Sequence, residues 1–467
     1  MKFWEALRNV FRIPDLRKRL LFTLAVLAVY RLGAHIPTPG INAELLRQFF
    51  EQNRGTLLGL IDIFSGGSFR SMTIFALGIM PYITASIILQ LLTVVWPYLE
   101  RLQKEGELGR RKITQYTRYL TVVLGAFQSM TIALTLMKQS GPGQASFVTT
   151  PGLSFILMTM ITFTAGTAFI MWLGEQISDR GVGNGMSLLI FAGIVVGLPR
   201  AVFDLWEKIS IQAWGSFTGL AVILLLIGMV VVVGFIVFFE GGQHRVPVQY
   251  AKRVVGRKMM GGQMTYLPVR VNSGGVIPPI FASSILTFPQ TIAMFFREKS
   301  QFMDSFAKAL MWGEPLYTLL YILFIIFFAY FYISIIFNPT ELAENMRKYG
   351  GFIPGIRPGR NTSEYINKIL TRLTFVGGVY LAAICVLPEW MISGIKLQHL
   401  PLMGGWIDAH FPRWILEGLG VQFYFGGTSL LIVVGVAMDT VRQIEAQLVM
   451  RHYDGFVRKG RIRGRRG

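Results

Sequence analysis

The sequence predicts an all-α polytopic membrane protein, with ten transmembrane helices in two inverted five-helix halves. Three observations carry that expectation. Ten stretches are apolar over the roughly 20 residues that a helix needs to cross a hydrocarbon core of about 30 Å, in a chain of 467 residues that is 52% hydrophobic. Positive charge alternates from one connecting segment to the next. A motif also occurs twice, as GIMPYITAS at 78–86 and GVIPPIFAS at 275–283. Its shared positions are Gly78/Gly275, Pro81/Pro278, Ile83/Ile280, Ala85/Ala282 and Ser86/Ser283. No run of alternating short segments suggests a barrel.

The spans fall at 20–36, 72–96, 119–137, 153–173, 184–204, 217–239, 274–296, 316–337, 372–393 and 424–441. With the N-terminus inside, 33 of the 45 Lys and Arg lie in inner segments and 12 in outer ones. The positive-inside rule therefore places both termini in the cytoplasm. Each half holds an odd number of spans, so the two motif copies run antiparallel. Inverted halves of this kind meet around a pathway near the bilayer midplane. Topology explains most of the net charge of +20. The inner loops and the tail RKGRIRGRRG (458–467) are also basic enough to attract anionic lipid, an acidic protein or ribosomal RNA.

The elements follow in order. Phe3, Trp4, Leu7, Val10 and Phe11 share one face of an interfacial amphipathic helix ahead of the first span. Between spans one and two, LLGLIDIFSGGSF (57–69) is apolar but too short to cross, and Gly66-Gly67 breaks it. Backbone of that kind is tolerated at membrane depth only where protein or water surrounds it. The run GVGNG (181–185) reads as a turn and helix start. In the loop 240–273, the runs Arg245–Val248 and Leu267–Val271 predict a protruding hairpin. The loop 338–371 opens on Asn338-Pro339, holds a short charged helix near Glu341–Lys348, and contains GFIPGIRPGR (351–360). Two large inner loops suit a docking platform. The outer segment 394–423 carries Trp406 and Trp414, which suit an interfacial layer.

Much chemistry is excluded. The span interiors carry no Asp, Glu, Lys or Arg, which argues against a proton- or sodium-driven carrier. Glu175, Glu240, Glu389 and Asp439 stand at span ends, where solvated or interfacial carboxylates are expected. The five histidines are scattered over separate loops, so no metal site is expected. There is no Walker-type loop for a nucleotide. The single cysteine, Cys385, lies mid-span and forms no internal disulfide. What remains is a path lined by bulky aliphatic residues, which stops ions by dewetting. Ile79 and Ile83 lie one helical turn apart, with Ile280 at the matching place in the second copy.

The segments FSGGSF, MTIFALGIMPYITASIILQLL (72–92), EGELGRRKITQYTRY (105–119), MWLGEQISDRGVGNGMS (171–187), GVIPPIFASSIL (275–286), NPTELAENMRKYGGFIPGIRPG (338–359) and FYFGGTSLLIVV (423–434) resemble the bacterial SecY family along essentially the whole chain. That family forms the large subunit of the protein-conducting Sec translocon. The resemblance implies an N-terminal half (1–198), a hinge loop (199–216), a C-terminal half (217–441) and a basic cytoplasmic tail (442–467). It implies a pore ring of Ile79, Ile83, Ile190, Ile280 and Ile432, and a short plug helix at about 57–70 with Leu60, Ile61, Phe64, Gly66, Gly67 and Phe69. A lateral gate between spans two and seven would hold Pro81, Ser86, Gln90, Pro278 and Ser283. Docking would fall on Arg245, Lys252, Arg253, Arg257, Lys258 and Arg357.

The implied partners are the small subunits SecE and SecG, the SecA motor ATPase, the ribosome, unfolded precursor and nascent membrane polypeptides, and anionic lipids. The implied setting is the bacterial inner (plasma) membrane. No catalytic residue, metal or cofactor is implied. The outer segment 394–423 is longer than the family usually has, and His244 stands where relatives often carry a stronger base. The alternative is a secondary transporter with inverted repeats, which a solute-uptake assay would separate.

Overall fold

The computed structural model of the protein describes residues 13–52, 65–138, 146–211, 218–250, 253–255, 258–260, 264–296, 305–306, 308–310, 313–393 and 427–459. The N-terminal interfacial helix, Leu60, Ile61, Phe64, Lys252, Arg257 and the outer segment 394–423 lie outside them. The chain divides into two compact units, Met1–Asp204 with Ile432–Gly467, and Leu205–Leu431.

The first unit contains α1 (Pro14–Gly33), α2 (Ala43–Gln52), α3 (Met80–Val95), α4 (Pro97–Lys104), α5 (Glu107–Lys138), α6 (Leu153–Arg180) and α7 (Gly185–Val196). The boundary between units falls within α8 (Leu198–Ser210), and most of α14 (Gly427–Lys459) belongs to the first. Lipid gives helices no hydrophobic reason to associate, so small residues and hydrogen bonds supply the contact. A Cβ on Gly185 would stand 1.9 Å from the Gly174 carbonyl oxygen, so glycine lets α7 close against α6. The Asn184 side chain caps α7 by accepting from the amides of Met186 and Ser187, as the GVGNG run predicts. Arg118 Nε donates to Glu175 Oε1 at 2.7 Å and joins α5 to α6.

The second unit contains α9 (Thr218–Gly241), β1 (Gln243–Tyr250), β2 (Arg253–Val255), β3 (Lys258–Met260), β4 (Met264–Arg270) and α10 (Ile277–Phe296). It continues with α11 (Pro315–Ile336), α12 (Pro339–Lys348), β5 (Gly351–Phe352) and α13 (Arg360–Ser393). The expected hairpin forms: β1 and β4 pair antiparallel, with Val246 opposite Leu267. The other edge of β1 takes β5, with Gln249 opposite Phe352, giving the order β4-β1-β5. Asn338 caps α12 and Pro339 fills its first turn. The Phe239 ring of α9 stacks on Tyr380 of α13, with centroids 4.4 Å apart.

Among the described residues, four helical stretches are long and apolar enough to cross a membrane. They are Glu107–Met137, Leu153–Arg180, Pro315–Lys348 and Arg360–Leu387. A fifth arises if α3 and α4, bent by 99°, are taken as one span. Each of the ten apolar stretches expected from sequence overlaps a helix, namely α1, α3, α5, α6, α7, α9, α10, α11, α13 or α14, and the fifth, 184–204, also runs into α8.

Four local expectations are corrected. Residues 72–79 and 274–276 are turns rather than helix, and α3 and α10 begin only at Met80 and Ile277. The cause is the motif itself. Gly78 and Gly275 hold φ of +55° and +59°, and proline follows in each first turn. Residues 199–210, expected as hinge loop, belong to α8, because Pro199 sits harmlessly in a first turn and Leu198, Val202, Trp206 and Ile209 recur at helical spacing. The helix α14 runs on to Lys459, past the span end expected at 441, and Ile444 and Leu448 pack there against Leu16 and Val182. Glu240, expected as a solvated or interfacial carboxylate, is buried in the fold with only 7% of its surface exposed.

Candidate functional site

The repeated motif forms the same local structure twice. In each copy a left-handed glycine ends a turn, and a helix opens with proline in its first turn. The missing proline N–H costs nothing there, because the first amides of a helix have no intrahelical acceptor. Ile83 N–H donates to Ile79 O at 3.1 Å, so the first two expected ring residues occupy adjoining turns at the start of α3.

Ile79, Ile83, Ile190 and Ile432 are buried and belong to the first unit, on α3 or at its N-cap, α7 and α14. Ile280, also buried, starts α10 in the second unit. Pro81 and Pro278 are buried. The Gln90 amide donates to Ser86 Oγ at 3.1 Å along α3, and Ser283 Oγ donates to Ile280 O at 3.0 Å along α10. Both expected gate serines thus spend a polar group within their own helix.

The stretch expected as plug is described from Ser65 onward. There it is a series of turns, with Gly66 and Gly67 at φ +66° and +83°. Arg31, from the last turn of α1, donates through Nη1 to Gly66 O at 3.1 Å. A Cβ on Gly66 would stand 2.8 Å from Gly193 Cα on α7, so only glycine fits. Phe69 is buried, and its amide donates to Ser65 Oγ at 3.0 Å.

From there to Gly78 the backbone is locked. Thr38 N–H donates to Met72 O and Ile74 N–H to Ile36 O, each at 3.0 Å. Phe75 lies over Gly33 and stacks between Tyr30 and Phe169, with centroids 5.8 and 6.1 Å away. A Cβ on Gly166 of α6 would sit 2.0 Å from Ile74 O.

The second copy is held by polar groups instead. Asn272 Nδ2 donates to Glu240 Oε1 at 2.5 Å and to Gly275 O at 3.1 Å. This clamp went unread in the sequence, where its partners stand 32 residues apart.

The two basic inner loops form one body. Val246, Val248 and Val269 of the hairpin share a buried cluster with Met346, Ile353, Ile366 and Leu370. Arg245 is exposed on β1, next to Val246 of this cluster. Arg357 is exposed in the turn between Gly355 (φ +81°) and Gly359 (φ +106°), and its carbonyl accepts from Thr362 Oγ1 at 3.0 Å. Arg253 and Lys258 lie on β2 and β3 at the far end of the hairpin. On α4, just past the C-terminal end of α3, the Lys104 ammonium at 2.6 Å holds the exposed Glu100 carboxyl below its ordinary range. No three His, Cys, Asp or Glu side chains among the described residues are grouped to hold a metal.

Matched helix starts in two units, a basic sheet platform in the second and, among the described residues, two helical stretches in each that are long and apolar enough to cross a membrane define a polytopic helical membrane protein. The SecY family model matches residues 73–441. The chain is 46% identical to "Protein translocase subunit SecY" of Escherichia coli K12, over 97% of this chain and 96% of that one. It is also 46% identical to the Streptomyces galbus subunit of the same name, over 97% and 99% of the two chains. The chain belongs to the SecY family. Its fold is similar to the solved structure "The structure of a protein conducting channel", with a TM-score of 0.61 at 16% identity, covering 95% of this chain and 97% of that one. It is likewise similar to "Sec61 in the Canine ribosome-channel complex from the endoplasmic reticulum", with a TM-score of 0.59 at 17% identity and the same coverage.

Proposed function

We propose that the chain is the channel-forming subunit of a protein translocase, moving unfolded secretory polypeptides across the membrane and releasing apolar segments sideways into lipid. The observation that carries this is the near-complete, 46% identical match to translocase subunits. The chain crosses the bilayer ten times, with both termini in the cytoplasm, and sits in a bacterial inner membrane. It is a path rather than an enzyme, and a partner that consumes ATP or GTP supplies the drive.

At rest, Ile79, Ile83, Ile190, Ile280 and Ile432 close the path by dewetting, because a ring of aliphatic side chains offers ions no replacement for hydration. The segment ending in Gly66, Gly67 and Phe69 caps it as the plug. A signal helix competes for apolar surface between α3 and α10, where Pro81, Ser86, Gln90, Pro278 and Ser283 flank the gate. Arg245, Lys252, Arg253, Arg257, Lys258 and Arg357 receive the SecA motor or the ribosome. SecE and SecG complete the membrane complex, and anionic lipids neutralise the basic inner face.

The reading is tested by reconstitution. Purified chain with its small subunits and motor, in liposomes, should import a secretory precursor in an ATP-dependent way. Failure under conditions that support a related translocase rejects the channel. Arg357→Glu should cut motor-driven import by at least about ten-fold, the scale of one desolvated charge contact at an interface. Normal import by that variant discards the docking role.

A further inference from the structure

Glu240 closes α9 at the foot of the hairpin with 7% of its surface exposed, and Asn272 beside it is 5% exposed. A carboxylate taken out of water is retained at a cost unless it is hydrogen-bonded. Here one amide nitrogen serves two acceptors. Asn272 Nδ2 reaches Glu240 Oε1 at 2.5 Å with one hydrogen and Gly275 O at 3.1 Å with the other.

Gly275 is the pivot from which α10 departs. A Cβ there would meet nothing within 4 Å, so packing does not fix Gly275 itself. Its neighbours on either side are constrained. A Cβ on Gly274 would stand 2.9 Å from Pro278 Cγ, and one on Gly377 of α13 would stand 2.7 Å from Val271 O. The polar clamp therefore acts at the one open point of an otherwise crowded turn. All these residues belong to the second unit.

We propose that Glu240 and Asn272 are positioning residues for α10, fixing the direction in which it leaves the turn at Gly275. Because α10 is one side of the gate in the channel reading, on which this inference rests, the clamp sets how strong a signal segment must be to part the gate. Loosening it lowers that requirement.

The test uses the whole reconstituted complex and two precursors, one with an intact apolar signal and one whose signal carries a charge. Glu240→Ala and Asn272→Ala should each raise the ratio of defective to intact import about ten-fold, equivalent to ~1.4 kcal/mol of gate bias. The double variant should go no further than the larger single one, because one device is removed twice. Glu240→Gln, which keeps an acceptor, should stay near the parent ratio.

Unchanged ratios in both alanine variants overturn the proposal, and so does a double variant equal to the product of the singles. If an alanine variant fails to accumulate, Asn272→Ser and Glu240→Gln decide. The serine is expected to raise the ratio and the glutamine to leave it, and equal ratios for the two overturn the clamp. A parent complex that imports neither precursor rejects the channel reading itself. Import with unaltered discrimination in the variants rejects only the clamp.

Discussion

The two copies of the Gly-x-x-Pro motif share backbone and differ in what restrains it. Ahead of α3, the turn is clamped by backbone bonds to residues 36–38 and by Phe75 pressed over Gly33. Ahead of α10, Gly275 stands in open space and its carbonyl accepts from one side-chain amide, while Val271 earlier in the turn is held by a backbone bond to Gly242 O. Packed interiors resist displacement because a small shift loses many contacts together. A two-bond polar clamp can open as a unit. One sequence signature thus builds two helix starts of unequal compliance.

That contrast is easiest to break at its rigid end. Gly166→Ala would set a methyl 2.0 Å from a backbone oxygen that cannot rotate away. The ~1 kcal/mol helix-propensity gain of Ala over Gly then loses to an overpacking cost of about 1–3 kcal/mol or more. The variant should accumulate poorly and lose protease resistance, and normal accumulation would show that the first turn is softer than drawn here.

Replacing Ile83 and Ile280 together by Gly removes one expected seal residue from each copy. Resting ion conductance in planar bilayers should rise at least about ten-fold, since dewetting depends on bulky apolar walls. Unchanged conductance would sink the ring assignment.

Arg31→Met removes the donor to Gly66 O. Hydrogen bonds to charged groups are worth ~1.5–3 kcal/mol, so the resting leak should grow by several-fold while the intact-signal precursor is imported as before. A leak equal to the parent's would free the plug stem from Arg31. The smallest effect is expected from Gly275→Ala. Its methyl meets nothing, so only the left-handed strain of about 1–2 kcal/mol remains. Thermal unfolding in detergent should register a modest loss, well short of that for Gly166→Ala.

Much of this architecture was legible in the chain. The period of apolar residues located a helix for every expected span, and β-branched runs flanked by glycine located the hairpin. The helix starts were misplaced because residues 72–79 are as apolar as the helix they precede, and hydropathy does not distinguish a buried turn from a buried helix. Pro81 and Pro278 carried the needed signal, since proline favours the first helical turn. In α8 the hinge loop implied by the resemblance covers residues that form helix, and Leu198, Val202 and Trp206 stand at helical spacing there. The Arg31–Gly66 and Glu240–Asn272 contacts join residues 35 and 32 positions apart, and no local pattern announces such a pairing.

The strand β5 has a mechanical consequence. By joining the edge of β1 it ties the segment before α13 to the β1–β4 hairpin as one solid, and α13 begins within that solid, with Ile366 and Leu370 in its core. The same helix runs unbroken for 34 residues, or about 51 Å at 1.5 Å per residue, passing Val271 at Gly377 and Ile326 of α11 at Gly378. Any load on the platform is therefore borne by a single long helix, which passes the turn from which α10 departs on the way.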